Sequence, residues 1–146
     1  MKKKLKEKKN IIYYCNANSN IGFGHLSRII ALASSLNKMN YTNILVGPDK
    51  KLLNKYNRAL FTHIFAGENS NSIKDDVNSL IYLSKKFNSK LLIMDDYRIK
   101  LSDQKLILKN NLNWLQFDLY GKNILYADII LNYSPNSLSI NYNKLI

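Results

Sequence analysis

Residues able to do chemistry gather at two places in this sequence. The first is the run Ile21-Gly22-Phe23-Gly24-His25. Glycines just before a helix let the backbone turn tightly and approach a ligand, and the free N–H groups of the helix start favour a phosphate or hydroxyl-rich partner. His25 falls at that helix start, where the dipole disfavours the imidazolium and leaves a ring fit to accept a proton, the need of a general base. The run is not a full G-x-G-x-x-G, because Ser27 stands where the third glycine would be, and it is not a Walker loop. A strand-to-helix turn with a capping histidine has the same spacing.

The second place is Asp95-Asp96-Tyr97, at the end of the apolar run Leu91-Leu92-Ile93-Met94. Successive strand residues point to opposite faces, so the two carboxylates cannot aim at one atom unless the chain turns; one of them is expected to cap the following turn. A metal between them lacks a third ligand, so none is expected. Tyr97 is placed to orient a substrate or polarise a water, or to be an aromatic on the cleft rim. The other histidine, His63, lies within the apolar run Phe61–Ala66 and is expected in a packing or edge role.

The elements that must position these groups follow from hydrophobic periodicity. Ile11–Cys15 predicts a first strand, and Leu26, Ile29, Ile30, Ala33 and Leu36 predict a helix over 24–38. Asn43–Gly47 predicts a second strand, 49–58 a short helix, and Phe61–Ala66 a third strand. Ile73, Val77, Leu80, Ile81 and Leu83 predict a helix over 73–87, followed by a strand at 90–94, a helix at 102–111, and strands at 113–117 and 128–132. Continuous apolar strands alternating with amphipathic helices predict an α/β fold, a doubly wound and mostly parallel sheet covered on both faces. Ligands of such sheets bind beyond the carboxyl ends of the strands, where both chemical runs fall.

Composition narrows the classes. The 146 residues are 46% hydrophobic with five glycines and two prolines, the profile of one globular domain. No apolar run is long enough for a membrane span or a signal-peptide core, so a cytoplasmic address is expected. Cys15 is the only cysteine, and no Cys/His spacing matches a zinc site. Six lysines against one glutamate in residues 1–10 supply much of the net charge of +12 and predict a basic, disordered tail ahead of a domain over 11–146. The other lysines lack aromatic interleaving, so specific nucleic-acid recognition is not expected, only a weak, salt-sensitive association.

A family resemblance rests on three segments in order. Gly22-Phe23-Gly24-His25-Leu26-Ser27-Arg28 resembles the G-x-G-H-x-x-R signature of the UDP-sugar hydrolases of pseudaminic acid biosynthesis, the PseG family. Met94-Asp95-Asp96-Tyr97 is similar to that family's strand ending in D-x-Y. Phe117-Asp118 and Ala127-Asp128-Ile129-Ile130-Leu131-Asn132 are similar to its F-D-D and C-D-(apolar)-N segments. The resemblance implies the N-terminal Rossmann-like half of a GT-B-type fold and a cofactor- and metal-free hydrolysis in which water attacks an anomeric carbon and releases UDP. It implies His25 as the general base and Tyr97 as the group holding the water or sugar. Gly22, Phe23 and Gly24 would shape the loop. Arg28, Asp96, Asp118 and Asn132 would contribute to binding a UDP-activated amino sugar, with a surface ion pair the other reading of Arg28.

The pattern departs from the family at Tyr14 and Asn16, where Arg and Asp are usual, and at Leu119, where a second acid is usual. The family's C-terminal, nucleotide-binding domain has no counterpart here, and a separate chain supplying it is the corresponding partner. Two other expectations stand beside the hydrolase. One is a catalytically silent, truncated sugar-binding or assembly module. The other is half of a MurG-type glycosyltransferase, against which the lack of a G-G-x-G-G run weighs.

Overall fold

Apolar runs with no polar alternation need cover on both sides, and the chain provides it with one sheet and helices on its two faces. The computed structural model describes residues 9–17, 23–67 and 73–142. The strands are β1 (Lys9–Cys15), β2 (Tyr41–Gly47), β3 (His63–Ala66), β4 (Leu91–Asp95), β5 (Asn113–Asp118) and β6 (Ile129–Asn132). The helices are α1 (Gly24–Asn37), α2 (Lys55–Arg58), α3 (Ile73–Lys86) and α4 (Leu101–Lys109). All pairings are parallel, in the order β3-β2-β1-β4-β5-β6. This is a doubly wound, Rossmann-like α/β fold whose strand order reverses between β1 and β4.

Side-chain alternation divides the core in two. Ile11, Tyr13 and Cys15 of β1 face α1 and pack with Leu26, Ile29 and Ala33 of that helix and Ile93 of β4. Ile12 and Tyr14 face the other way, into a core with Val77 and Leu80 of α3, Met94 of β4, Ile107 of α4 and Trp114 of β5. Asparagine closes three helices: Asn40, Asn88 and Asn111 take positive φ of 66°, 47° and 53° just beyond α1, α3 and α4, a backbone region asparagine tolerates well. Buried Asn43 accepts from the Tyr13 hydroxyl at 3.0 Å and donates to the Ala33 and Leu60 carbonyls, tying β2 to the end of α1.

Three expectations need correction. The sheet claims Lys9 and Asn10, whose backbones pair with Tyr41 and Thr42, so the strand begins inside the segment read as tail; residues 1–8 of that segment lie outside the described residues. The helix expected at 49–58 is broken: a 3-10 turn at Lys50–Leu52 gives way to extended Leu53, and α2 restarts after Asn54, whose side chain accepts from Asn57 N–H. The third strand begins at His63 instead of Phe61, because Phe61 buries its ring against Tyr13 at 5.9 Å and Thr62 bonds the Asn43 carbonyl. Among the described residues, no helix is long and apolar enough to cross a membrane.

The carboxyl ends of β1 and β2 approach so closely that Gly47, at φ 114°, has no room for a side chain: a Cβ there would lie 2.1 Å from the Cys15 carbonyl oxygen. Gly47→Ala should therefore cost about 2–4 kcal/mol, seen as a lower melting temperature by circular dichroism; an unchanged melting curve would contradict the contact. Tyr13 and Tyr14 are 0% and 1% exposed. Burial pushes both phenols up from 10.0, and for Tyr14 the charges of Asp96 and Asp76 add to it. Above pH 10 the unfolded chain loses these protons while the native chain keeps them, so stability should fall as pH rises, by about 1.4 kcal/mol per pH unit for each residue. Urea titrations at stepwise alkaline pH should give that slope, and Tyr13→Phe should flatten it.

Candidate functional site

Where the strand order reverses, the helices that follow β1 and β4 pack on opposite faces of the sheet, the arrangement that leaves a crevice at the carboxyl ends of the strands in this fold class. Helix α1 starts at this crevice. Its N-cap is Phe23, with no side-chain cap; the His25 ring reaches Asp95 at the end of β4, which excludes the capping-histidine reading. His25 Nδ1 lies 2.7 Å from Asp95 Oδ1. One helical turn on, Arg28 grips the same carboxylate with two bonds, Nε to Oδ2 at 2.7 Å and Nη2 to Oδ1 at 3.1 Å. The Asp95 side chain is fully buried, while His25 and Arg28 remain 18% and 23% exposed.

The chemistry of this trio follows from its hydrogen bonds. Held in the Arg28 fork, the carboxylate has only acceptor positions to offer His25. In the neutral ring the proton therefore sits on Nδ1 and the lone pair on Nε2. Nε2 meets no partner among the described residues. A carboxylate holding Nδ1–H fixes both tautomer and ring plane, as in hydrolases with a histidine base. Burial opposes the Arg28 charge, but the hydrogen bonds and attraction to Asp95 outweigh it and raise the Arg28 pKa. Arg28 is thus the counter-charge of a buried carboxylate, so its ion pair is not a surface one.

Asp96 goes the other way. Its Oδ1 accepts the Arg98 N–H at 2.9 Å, the turn expected of one of the two acids. Its carboxylate also holds the Arg98 guanidinium at 2.7 Å from Nη2. The Tyr14 hydroxyl joins this cluster, 2.7 Å from Asp76 and 3.3 Å from Asp96, and accepts from Arg98 Nη2 at 3.2 Å. The hydrogen bonds to Asp96, against a smaller cost of burial, raise the Arg98 pKa. Asp96 is therefore a holder of the β4 turn on the α3 side, away from His25.

Tyr97 does stand with His25, ring centroids 5.1 Å apart. Burial, followed by its bond to Tyr133, pushes its phenol well above 10.0, so it serves as a neutral hydroxyl. Phe23 and Gly24 flank His25, Phe23 with 54% of its surface exposed; Gly22 lies outside the described residues. Asp118 and Asn132 pair across β5 and β6 and face away from α1. Tyr142 donates to Asp118 at 2.7 Å, and Asn132 donates to the Tyr142 hydroxyl at 2.6 Å. These two side chains hold loops and do not converge on the histidine. Cys15, at the end of β1, is no nucleophile, since burial and then the Asp95 charge push its thiol well up. His63 is on the edge strand β3 with its ring 4.7 Å from that of Phe87. Among the described residues, no three His, Cys, Asp or Glu side chains gather as metal ligands would.

Sequence reasoning missed Asp95 as the partner of His25 and Arg28, and Tyr133 as the ring beneath Arg28, whose Cζ lies 4.5 Å from that ring's centroid. The spacing His25–Arg28, one helical turn apart, was the available signal: two donors on one helix face next to a strand-end acid.

No protein-family model matches the chain. The chain is similar to the UDP-2,4-diacetamido-2,4,6-trideoxy-beta-L-altropyranose hydrolase of Campylobacter jejuni, with 27% identity over 137 residues. That alignment covers 93% of this chain and 46% of the relative, so the chain spans about half the length of the curated relative it matches.

The opposite orientations of the two acids are directly testable. Asp95→Asn should alter the tautomer of His25, read from long-range nitrogen–proton NMR correlations of the imidazole, whereas Asp96→Asn should leave that ring's signals unchanged. Equal changes in both variants would refute the assignment of Asp95 as the partner of His25.

Proposed function

We propose that this chain is the catalytic-base half of a nucleotide-sugar hydrolase that cleaves a UDP-activated diacetamido-trideoxyhexose in pseudaminic acid biosynthesis. The observation that carries this reading is the Asp95–His25 pair, which leaves Nε2 as a basic nitrogen at the crevice beyond β1 and β4. The similarity to the C. jejuni hydrolase over 93% of the chain supports the substrate class. In the proposed reaction His25 Nε2 takes a proton from water as its oxygen attacks the anomeric carbon. The bond from that carbon to the phosphate oxygen breaks, and UDP leaves with the electron pair. Asp95 holds the ring and stabilises the imidazolium that forms, with Arg28 balancing the buried carboxylate.

Tyr97, a neutral hydroxyl beside the base, positions the water or a sugar oxygen. Phe23 and Gly24 shape the approach, and the start of α1, which no side chain caps, favours an anionic group. Asp96, Asp118 and Asn132 act on the substrate through the loops they hold. The remaining groups of the uridine diphosphate site belong, in this reading, to a second domain like that of a GT-B fold.

Incubation with the UDP-activated diacetamido-trideoxyhexose, alone and with a polypeptide matching the unaligned half of the relative, should release UDP, followed by anion-exchange chromatography. His25→Ala should lower the rate about 10²- to 10⁴-fold with an unchanged circular dichroism spectrum. Release that is absent in both arms, or unaffected by His25→Ala, would overturn the reading.

A further inference from the structure

The three strands on the β4 side of the crevice end alike. β4 is followed by Asp96 and Tyr97, β5 ends in Asp118 two residues before Tyr120, and β6 ends in Asn132 just before Tyr133. In each case the Asp or Asn side chain accepts the backbone N–H two residues on: Arg98 N at 2.9 Å, Tyr120 N at 3.3 Å and Ser134 N at 2.7 Å. Asp118 also takes the Gly121 N–H at 2.8 Å, closing the turn that carries Tyr120. Such turns fix the backbone on which each tyrosine is mounted.

The three tyrosines meet. The Tyr97 and Tyr133 hydroxyls lie 3.1 Å apart, and the Tyr120 ring stands at 65° to the Tyr97 ring with centroids 5.7 Å apart. The Arg28 guanidinium lies over Tyr133, and the His25 ring adjoins Tyr97. Tyr120 is 58% and Tyr133 43% exposed; Tyr56 and Tyr82 are exposed too, but no ring contact joins them to another tyrosine among the described residues. Scattered exposed aromatics are ordinary; two that both touch a half-buried third, Tyr97, beside a histidine base form a surface.

We propose that Tyr97, Tyr120 and Tyr133 form a stacking shelf for the hexopyranose ring of the nucleotide sugar, with Tyr120 the outer ring against its C–H face. The proposal rests on the hydrolase reading, which puts the anomeric carbon at His25 Nε2, so the rest of the sugar ring extends over the neighbouring side chains. Tyrosine suits that ligand: the face of the ring meets polarised C–H bonds, while the hydroxyl bonds a sugar oxygen or amide. Deoxygenated ring carbons enlarge the apolar face and strengthen the contact. A free carboxylate on the sugar would gain little here, because the Arg28 fork is already spent on Asp95.

The test is binding to the full chain, with UDP-N-acetylglucosamine and UDP as probes, by titration calorimetry and saturation-transfer NMR. Tyr120→Ala should weaken UDP-N-acetylglucosamine about fivefold, the size of one aromatic contact, and leave UDP unchanged. Tyr120→Phe should retain the affinity. Saturation should reach the sugar protons more strongly than the uridine protons. Equal loss for both probes would mean that the uracil base stacks there instead, and that result overturns the proposal, as does an unchanged affinity or no contact by either probe. Loss of sugar affinity in a chain that releases no UDP would remove the hydrolase reading and keep the shelf. Turnover with a sugar affinity indifferent to Tyr120→Ala would remove the shelf and keep the hydrolase.

Discussion

The buried carboxylate of Asp95 is the constraint on which the site depends. With none of its side chain exposed, an ionised carboxylate is tolerable only if its oxygens are hydrogen-bonded and its charge is met. Both requirements are answered from one helix: Arg28 supplies the charge and two donors, and His25 supplies a third. The demand therefore pins the first turn of α1 to the end of β4 and fixes the histidine ring as a by-product. Breaking such a buried pair costs about 3–5 kcal/mol, so the arrangement is held far more firmly than an exposed ion pair would be. The same feature serves fold and chemistry, because the group that anchors the helix is also the one that decides which imidazole nitrogen is basic.

Alternation along β4 then places a second polar cluster on the opposite face, one residue later. Asp96, Asp76, Tyr14 and Arg98 fill the end of the α3-side core much as Asp95, His25 and Arg28 fill the end of the α1 side. Below both clusters β4 is apolar on both faces, from Ile93 and Met94 downward. The carboxyl end of β4 is thus polar on either side of an apolar strand. The turn at 96–98 is gripped from behind by Arg98 while its Tyr97 side chain faces the histidine. A loop fixed from one face can present a side chain rigidly on the other, which a surface loop without such a grip does not do.

How far the sequence disclosed all this depended on what each pattern encodes. The strands were legible because doubly covered strands read as unbroken apolar runs, and α1, α3 and α4 because their apolar residues recur at helical spacing. The segment 49–58 carries no such period: its lysines and asparagines leave the break at Leu53 to be decided by Asn54 capping and by Arg58 bonding the Lys50 and Leu53 carbonyls. The site was legible in its members His25 and Tyr97 but not in the choice between Asp95 and Asp96. Alternation guaranteed that the two acids part; it could not say which faces α1. In a one-sided strand the polar residues mark the parity, whereas Leu91–Met94 is apolar on both faces and gives no mark. Nor did the sequence show that Asp118 and Asn132 turn away from the α1 side while Phe117 and Leu131, each one residue earlier, face α1.

The departure at Tyr14 is where this parity matters most. An arginine at the end of β1 would put a cation on the α3 side of the crevice, and its replacement by tyrosine reads in sequence as a lost charge. In the folded chain Arg98 reaches over from the β4 turn and donates to the Tyr14 hydroxyl at 3.2 Å, so a guanidinium stands at that strand end after all, supplied by a different loop. Its partners Asp76 and Asp96 are buried at 3% each, and the Tyr14 hydroxyl between them accepts from the cation while donating to an acid. Charge at this edge is therefore carried by the β4 turn and not by β1. The α1 side, with its Asp95–His25 pair, is a separate cluster on the other face of the sheet.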